Sequence, residues 1–192
     1  MSRCLSLIPS PLPGQRLRML LALVTLSLLA PNWLSANEKP FKISGGGLAS
    51  HLPFPGDLEP AFHFADGTAT HLGKYHAEGR FRTIQFIYAD ETKLTATFES
   101  SEPVVFTAAN GDELHFNYAG VVDLFFLDET TVRTVFVATF TPTETGSTGR
   151  FEKVTGGSFV MTAISDFFEL GSRDIPYTWS GEGTLEFGKK KK

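Results

Sequence analysis

Asp123 is the residue whose surroundings in the sequence most require a chemical explanation. It lies within residues 120–127, where almost every other side chain is apolar. A buried carboxylate without a partner is unfavourable, so we expect Asp123 to be paired. Arg133 lies on the strand that we predict to pair with this one, close to the opposite position. Two hypotheses follow: a cross-strand salt bridge that fixes the strand register, or a polar anchor in a ligand cavity.

Four further side chains are candidates for contact with a ligand. Tyr177 and Trp179 share one face of the last predicted strand, and Tyr118 shares an apolar face with its neighbours two residues away. Such aromatic residues would line a cavity or pack a core, and core packing is the more common outcome. His115 lies on the opposite face of the strand that carries Tyr118, and we keep it as a weaker ligand-binding candidate.

The remaining residues do not assemble a familiar catalytic or metal-binding motif. His71 and His76 are five positions apart, which places them on opposite faces of one strand, so we predict no metal site and no cofactor. His63 points away from the face shared by its two phenylalanine neighbours. The sequence contains no Gly-x-Ser-x-Gly elbow and no glycine-rich phosphate loop before a helix. We therefore assign no catalytic residue.

The first 36 residues read as a secretory signal peptide. Three arginines precede or flank an apolar run over residues 19–30, and Leu34-Ser35-Ala36 is a plausible cleavage site. The run is too short to cross a bilayer, which takes about 20 residues, although an uncleaved anchor stays an alternative. We predict an exported protein, periplasmic or extracellular. Cys4, the only cysteine of the chain, would be removed with this segment.

The charge of the remaining chain argues against nucleic acid as a partner. Residues 37–192 carry 14 of the 17 lysines and arginines and all 21 acidic residues, a net charge of −7. Binding to phosphates requires a basic surface, which this composition does not provide. The exception is a run of four lysines at residues 189–192. We predict a disordered, solvated tail, with contact to an anionic surface as the alternative.

Residues 37–188 are predicted to form one all-β domain without a transmembrane helix. Alternation of apolar and polar residues recurs along the chain, and Asn110-Gly111 is a strong signal for a two-residue hairpin turn. Residues 132–141 should pair with residues 120–127, and residues 166–172 are the best candidate for a helical turn. About eight short strands indicate an antiparallel barrel or a sandwich. We favour a single antiparallel β-barrel because closure leaves no exposed strand edges.

Two stretches combine glycine, a basic residue and an aromatic residue, and we interpret both as barrel corners. The first is Gly73-Lys74-Tyr75-His76-Ala77-Glu78-Gly79, and the second is Gly149-Arg150-Phe151-Glu152-Lys153-Val154-Thr155-Gly156. Gly67-Thr68-Ala69-Thr70-His71-Leu72-Gly73-Lys74-Tyr75 resembles a strand of small secreted bacterial proteins without an assigned function. Residues 146–156 resemble the "G-T-G-x-F-x-x-x-x-G" turn of the allene oxide cyclase and dirigent barrels.

This resemblance implies an allene oxide cyclase-like or calycin-like barrel of eight strands with an apolar central cavity, and it suggests a homo-oligomer. It transfers no catalytic residue to this sequence. Three hypotheses for function stay open. The first is non-catalytic binding of a small apolar or aromatic molecule inside the barrel. The second is a cyclase- or isomerase-like enzyme acting on a reactive lipophilic substrate, and the third is a structural or cell-surface interaction protein whose interior is filled.

Overall fold

The computed structural model describes residues 37–188 as one antiparallel sheet with a single turn of 3-10 helix at Gly149–Phe151. The strands are β1 (Glu38–Ala49), β2 (Ala61–Ala69), β3 (Gly73–Ala89), β4 (Lys93–Ala108), β5 (Glu113–Phe126), β6 (Thr131–Pro142), β7 (Val154–Ser165), β8 (Phe168–Glu169) and β9 (Ile175–Phe187). The helical structure in this part of the chain is neither long nor apolar enough to span a membrane. The predicted signal peptide, residues 1–36, and the lysine tail, residues 189–192, lie outside the described residues.

The sheet closes on itself in a ring. Its strands follow the order β5-β4-β3-β2-β1-β9-β7-β6, with the short β8 beside the start of β6. The additional pairing of β5 with β6 joins the two ends of this order. The predicted pairing of residues 120–127 with residues 132–141 is therefore confirmed, and it is the contact that closes the ring. The all-β, antiparallel class is likewise confirmed.

Asparagine and aspartate build the turns at the two ends of the ring. At the end that we call the base, Asn110-Gly111 lies in the predicted β4–β5 hairpin, but the connection spans four residues, 109–112, rather than two, and Gly111 alone of the pair has a positive φ, +86°. At the opposite end, the mouth, Asp90 begins the β3–β4 turn and Asp128 begins the β5–β6 turn. One carboxylate oxygen of each aspartate accepts two backbone N–H groups at 2.7 to 2.9 Å. Such local hydrogen bonds stabilise tight turns.

The alternation of side chains decides which face of each strand points into the ring. On β5, Leu114, Phe116 and Tyr118 are buried, whereas the residues between them are partly or fully exposed. On β9, Trp179 and Leu185 are buried in the same way. Both predicted faces are confirmed, because strand side chains alternate with a period of two.

Phenylalanine fills the half of the ring nearest the base. The rings of Phe140 and Phe159 stack with centroids 4.7 Å apart, and Phe41 and Phe116 lie 4.9 and 5.1 Å from Phe159. All four side chains are at most 1% exposed. Aromatic pairs at these separations gain attraction beyond simple burial. This half of the interior is therefore a packed core, and the apolar cavity inside the ring lies in the mouth half.

Two local expectations are wrong. Residues 166–172 contain β8 rather than a helical turn, because Phe168 pairs with Val132 and keeps the backbone extended. The helical turn falls instead at Gly149–Phe151, so the second glycine–aromatic stretch is a corner as predicted. The first stretch is not a corner. It lies within β3, where Gly79 pairs with His63 in the middle of the sheet.

The glycine at the start of β7 provides a test of this packing. Gly157 has a φ of +88°, and a Cβ atom there would overlap the carbonyl oxygen of Thr184. Gly111 has nearly the same φ but faces open space. We expect Gly111→Ala to lower the free energy of unfolding by about 1 kcal/mol, the cost of the left-handed backbone. Gly157→Ala should lower it more, because β7 and β9 must separate. Equal losses in urea denaturation would contradict the close approach of these strands.

Candidate functional site

A cavity of about 70 Å³ occupies the mouth half of the ring and is partly open to solvent. The wall that faces this space is apolar, and no Asp, Glu, Lys or Arg lines it. Phe140 and Trp179 separate it from the packed half of the ring, since both line the cavity and also contact the aromatic core. Other apolar lining residues are Ala49, Leu52, Phe81, Phe98, Phe136, Ala138, Met161, Ala163, Phe168 and Ile175, and the polar residues His51, Thr134 and Ser165 also border the cavity.

One buried histidine joins a buried and a partly buried tyrosine at the cavity wall. His63 on β2 is 6% exposed, and its Nε2 atom lies 2.7 Å from the hydroxyl of Tyr118. Its Nδ1 atom lies 3.2 Å from the hydroxyl of Tyr177. The Tyr177 hydroxyl donates to the carbonyl oxygen of Phe64 at 3.1 Å. The imidazole therefore connects β5 to β9 across the interior of the ring.

The hydrogen bonds determine where each proton lies in this network. The Tyr177 hydroxyl uses its hydrogen in the bond to the carbonyl oxygen of Phe64, so towards His63 it can only accept a hydrogen bond. Nδ1 of His63 is therefore the protonated ring nitrogen. Nε2 of His63 is then unprotonated and accepts from the hydroxyl of Tyr118. Every donor among these three side chains is used within the protein. The network therefore presents no free donor to a molecule in the cavity.

Burial keeps these three groups uncharged. Removal from water lowers the pKa of His63 from 6.5 to about 4. Burial likewise raises the pKa of Tyr118 well above its usual value, and it raises the pKa of Tyr177. A low-dielectric environment disfavours the charged form of each group, which is why the shifts differ in sign between histidine and tyrosine. At neutral pH these three side chains of the cavity wall are therefore neutral.

A second hydrogen-bonded chain supports the cavity from the packed side. The indole N–H of Trp179 donates to the hydroxyl of Tyr75 at 2.7 Å, and Tyr75 donates to the carbonyl oxygen of Ser44 at 3.1 Å. A Cβ atom at Gly45 or Gly67 would come within 2.6 Å of the Tyr75 hydroxyl. The absence of a side chain at these two glycines therefore makes space for the Tyr75 hydroxyl. Tyr75 in turn positions Trp179 through their hydrogen bond.

The structure brings three of the six candidate residues together. Tyr118, Tyr177 and Trp179 all line the cavity. Sequence reasoning did not select His63 as their partner. A signal was present: on β2, His63 alternates with Ala61, Ala65 and further small residues, and Gly79 stands opposite it. A Cβ atom at Gly79 would lie 2.7 Å from Nε2 of His63, so the glycine makes space for the imidazole.

The proposed salt bridge between Asp123 and Arg133 is wrong. Asp123 lies on the outer face of the ring, where it pairs with Lys93 at 3.3 Å and accepts the hydroxyl of Thr95 at 2.6 Å. Its strand neighbours Val122 and Leu124 are the ones that point inward. The apolar residues around Asp123 misled the prediction because β5 carries apolar side chains on both faces. Asp123 does not line the cavity.

Arg133 and His115 also lie away from the cavity wall. The Nε atom of Arg133 donates to the carbonyl oxygen of Ser165 at 3.2 Å, and its guanidinium lies 5.9 Å from the ring of Phe167. His115 lies on the opposite face of β5 from Tyr118, with its Nε2 atom 3.1 Å from a carboxylate oxygen of Glu113. Within residues 37–188, no three His, Asp or Glu side chains converge as metal ligands would.

Comparisons of the chain with known protein families, with curated proteins and with solved structures find no match. The cavity and its neighbouring side chains are thus the basis for any statement about function.

The buried imidazole makes the stability of the ring depend on pH. The pKa of His63 is lower in the folded protein, so the unfolded chain binds a proton first and stability falls as the pH decreases from about 6.5 towards 4. Between about pH 7 and 5 we expect His63 to account for a loss of roughly 2 kcal/mol. His63→Gln should remove this part of the pH dependence in urea denaturation. Parallel pH profiles for the two proteins would contradict the buried, neutral histidine.

Asp123→Asn tests the assignment of Asp123 to the outer face. Its ion pair with Lys93 is partly exposed, so we expect a loss of about 1 kcal/mol in the free energy of unfolding. Binding of small apolar molecules should be unchanged, because the carboxylate is on the other side of the sheet. Ligand-observed NMR with toluene provides the measurement, and weaker binding by the variant at equal folding would contradict the assignment.

Proposed function

We propose that this protein is an exported carrier that holds a small apolar or aromatic molecule inside the ring, without catalysis. The ring would then be a barrel of the allene oxide cyclase-like type, and the mouth would be the entrance for the ligand. The observation that carries the proposal is a cavity with an apolar wall, whose neighbouring polar side chains His63, Tyr118 and Tyr177 are hydrogen-bonded to one another.

Water is a poor occupant of such a space. A buried water needs about 10–15 Å³ of accessible volume and two to four polar partners. The cavity has the volume for water, but its wall offers apolar surface. An apolar molecule loses nothing in hydrogen bonding there and gains from leaving water. The volume suits a small molecule, or one end of a longer molecule that extends through the mouth.

A second candidate function is a cyclase- or isomerase-like enzyme. The contact between Tyr118 and His63 favours it, because a tyrosine bonded to a histidine can exchange a proton with a bound substrate. The neutral state of His63 and the lack of a charged residue on the wall favour binding over catalysis. Tyr118→Phe separates the two functions: a carrier would keep its affinity for apolar molecules, whereas an enzyme would lose turnover.

The third hypothesis, a structural or surface protein with a filled interior, receives support from the base half of the ring alone. There the phenylalanine core leaves no comparable space. The mouth half has small residues at inward positions, including Ala138 and Ala163, where large ones would complete the packing. We therefore place the surface-protein hypothesis behind the carrier. Export and self-association remain parts of the proposal that rest on the sequence.

Filling the cavity should abolish binding without unfolding the ring. Ala163→Leu and Ala138→Leu each place a larger side chain in the cavity, and we expect at least about tenfold weaker binding of toluene and indole. Ala119→Leu is the matched control, because Ala119 is exposed on the outer face of β5. Ligand-observed NMR gives the dissociation constants, and circular dichroism checks the fold. Equal affinity in the cavity variants and the control would contradict the proposed binding site.

A further inference from the structure

The mouth end of the ring carries an exposed apolar surface on two neighbouring hairpins. We call it the twin-hairpin surface, and it belongs to the β3–β4 and β5–β6 hairpins. Five large apolar side chains form it, each between 40% and 67% exposed: Ile84, Ile87, Tyr88, Phe125 and Leu127. Large apolar side chains that are exposed together usually mark a site of interaction.

Contacts between the hairpins make this surface continuous. β4 pairs with β5 at Lys93 and Phe125, and the backbone N–H of Phe126 donates to Thr92 at 3.1 Å. The ammonium of Lys93 lies 5.6 Å from the ring of Tyr88 and 5.8 Å from the ring of Phe125. One cation thus joins an aromatic side chain of each hairpin. The two tips form a single face rather than two separate projections.

Both tips begin with the same three residues. The β3–β4 turn reads Asp90-Glu91-Thr92, and the β5–β6 turn reads Asp128-Glu129-Thr130. All four carboxylates are exposed and lie at the outermost points of the hairpins. Two cations lie beside this surface: Lys93 is paired with Asp123, and Arg133, opposite Phe125, donates to the carbonyl oxygen of Ser165. An apolar face fringed by negative charge is the result.

An open strand edge lies beside this surface. β4 and β5 have a neighbour on both sides, but β3 pairs with β2 only as far as Phe81, so residues 82–89 of β3 have β4 as their one strand neighbour. The exposed side chains beside that edge determine which partner fits. The four exposed carboxylates of the two turns discriminate among partners. A second copy of this chain would bring like charges together, and a bilayer would have to accommodate four carboxylates at the points that enter it first.

We propose that the twin-hairpin surface docks a basic protein segment with large apolar side chains. Its apolar residues would cover Ile87, Tyr88, Phe125 and Leu127, and its lysines or arginines would pair with the carboxylates of the two turns. Charge complementarity of this kind steers association and fixes orientation, while the apolar contact supplies most of the affinity. The proposal does not depend on what the cavity holds.

A synthetic amphipathic peptide tests this pairing. The probe is a fluorescein-labelled helix of about 18 residues built from leucine and lysine, and its counterpart replaces lysine with glutamate. Fluorescence anisotropy should show binding of the lysine peptide but not of the glutamate peptide, and added salt should weaken this binding. Two double variants should each bind the lysine peptide about fivefold more weakly or worse. The first combines Glu91→Gln with Glu129→Gln, and the second combines Ile87→Gln with Leu127→Gln.

Matched changes at the base of the ring control for total charge. Glu144 and Glu152 are exposed residues in the loop before β7, far from the hairpin tips, and replacing both with glutamine removes the same charge. This variant should bind the lysine peptide like the unchanged protein. Because all the substituted side chains are exposed, thermal unfolding should be nearly the same in every variant.

Several outcomes would overturn the proposal. One is an equal loss of affinity for the lysine peptide in the hairpin variants and in the control variant. Another is co-flotation of the protein with phosphatidylcholine vesicles that is lost when Ile87→Gln and Leu127→Gln are combined. The surface would then bind a lipid membrane rather than a protein segment. A third is a dimer, detected by analytical ultracentrifugation, that the combined Ile87→Gln and Leu127→Gln substitutions disrupt. A second copy of the chain would then bind the twin-hairpin surface.

Discussion

The pairing of β5 with β6 is the contact on which the rest of the structure depends. It runs in continuous register from Phe116 opposite Pro142 to Phe126 opposite Val132, and it turns an open sheet into a ring. Closure satisfies the main-chain groups that an open sheet would leave exposed at its two edges. It also creates an interior whose volume is fixed by the strands. The inward side chains must then either fill that volume or leave a cavity.

The two halves of the ring meet this requirement differently. Near the base, phenylalanines from several strands meet at stacking and edge-to-face distances and exclude open space. Near the mouth, alanines at inward positions leave a gap between the strands. His63 and its two tyrosines border this gap, and their mutual hydrogen bonds avoid the cost of burying unsatisfied polar groups. Among the described residues, every buried side-chain nitrogen and oxygen has a partner.

The sequence predicted the strands well because local rules control them. Alternation identified the inward faces of β5 and β9. Asn110-Gly111 located a hairpin correctly, although its connection is longer than two residues and only Gly111 has a positive φ. The site was harder to predict. Asp123 looked buried because β5 is apolar on both faces, and strand alternation does not reveal which face is inside. His63 lies between two phenylalanines that point outward, so its importance depends on contacts with Tyr118 and Tyr177, which are 55 and 114 residues away in sequence.

The central claim is that the mouth half of the ring contains an apolar space that an apolar molecule can enter. Diffraction from crystals under xenon pressure tests it most directly, because xenon enters dry apolar cavities and scatters strongly. The claim predicts a xenon peak inside the ring, in contact with Phe140, Ala163 and Trp179. A ring without xenon at that position, with these side chains packed against one another, would contradict it.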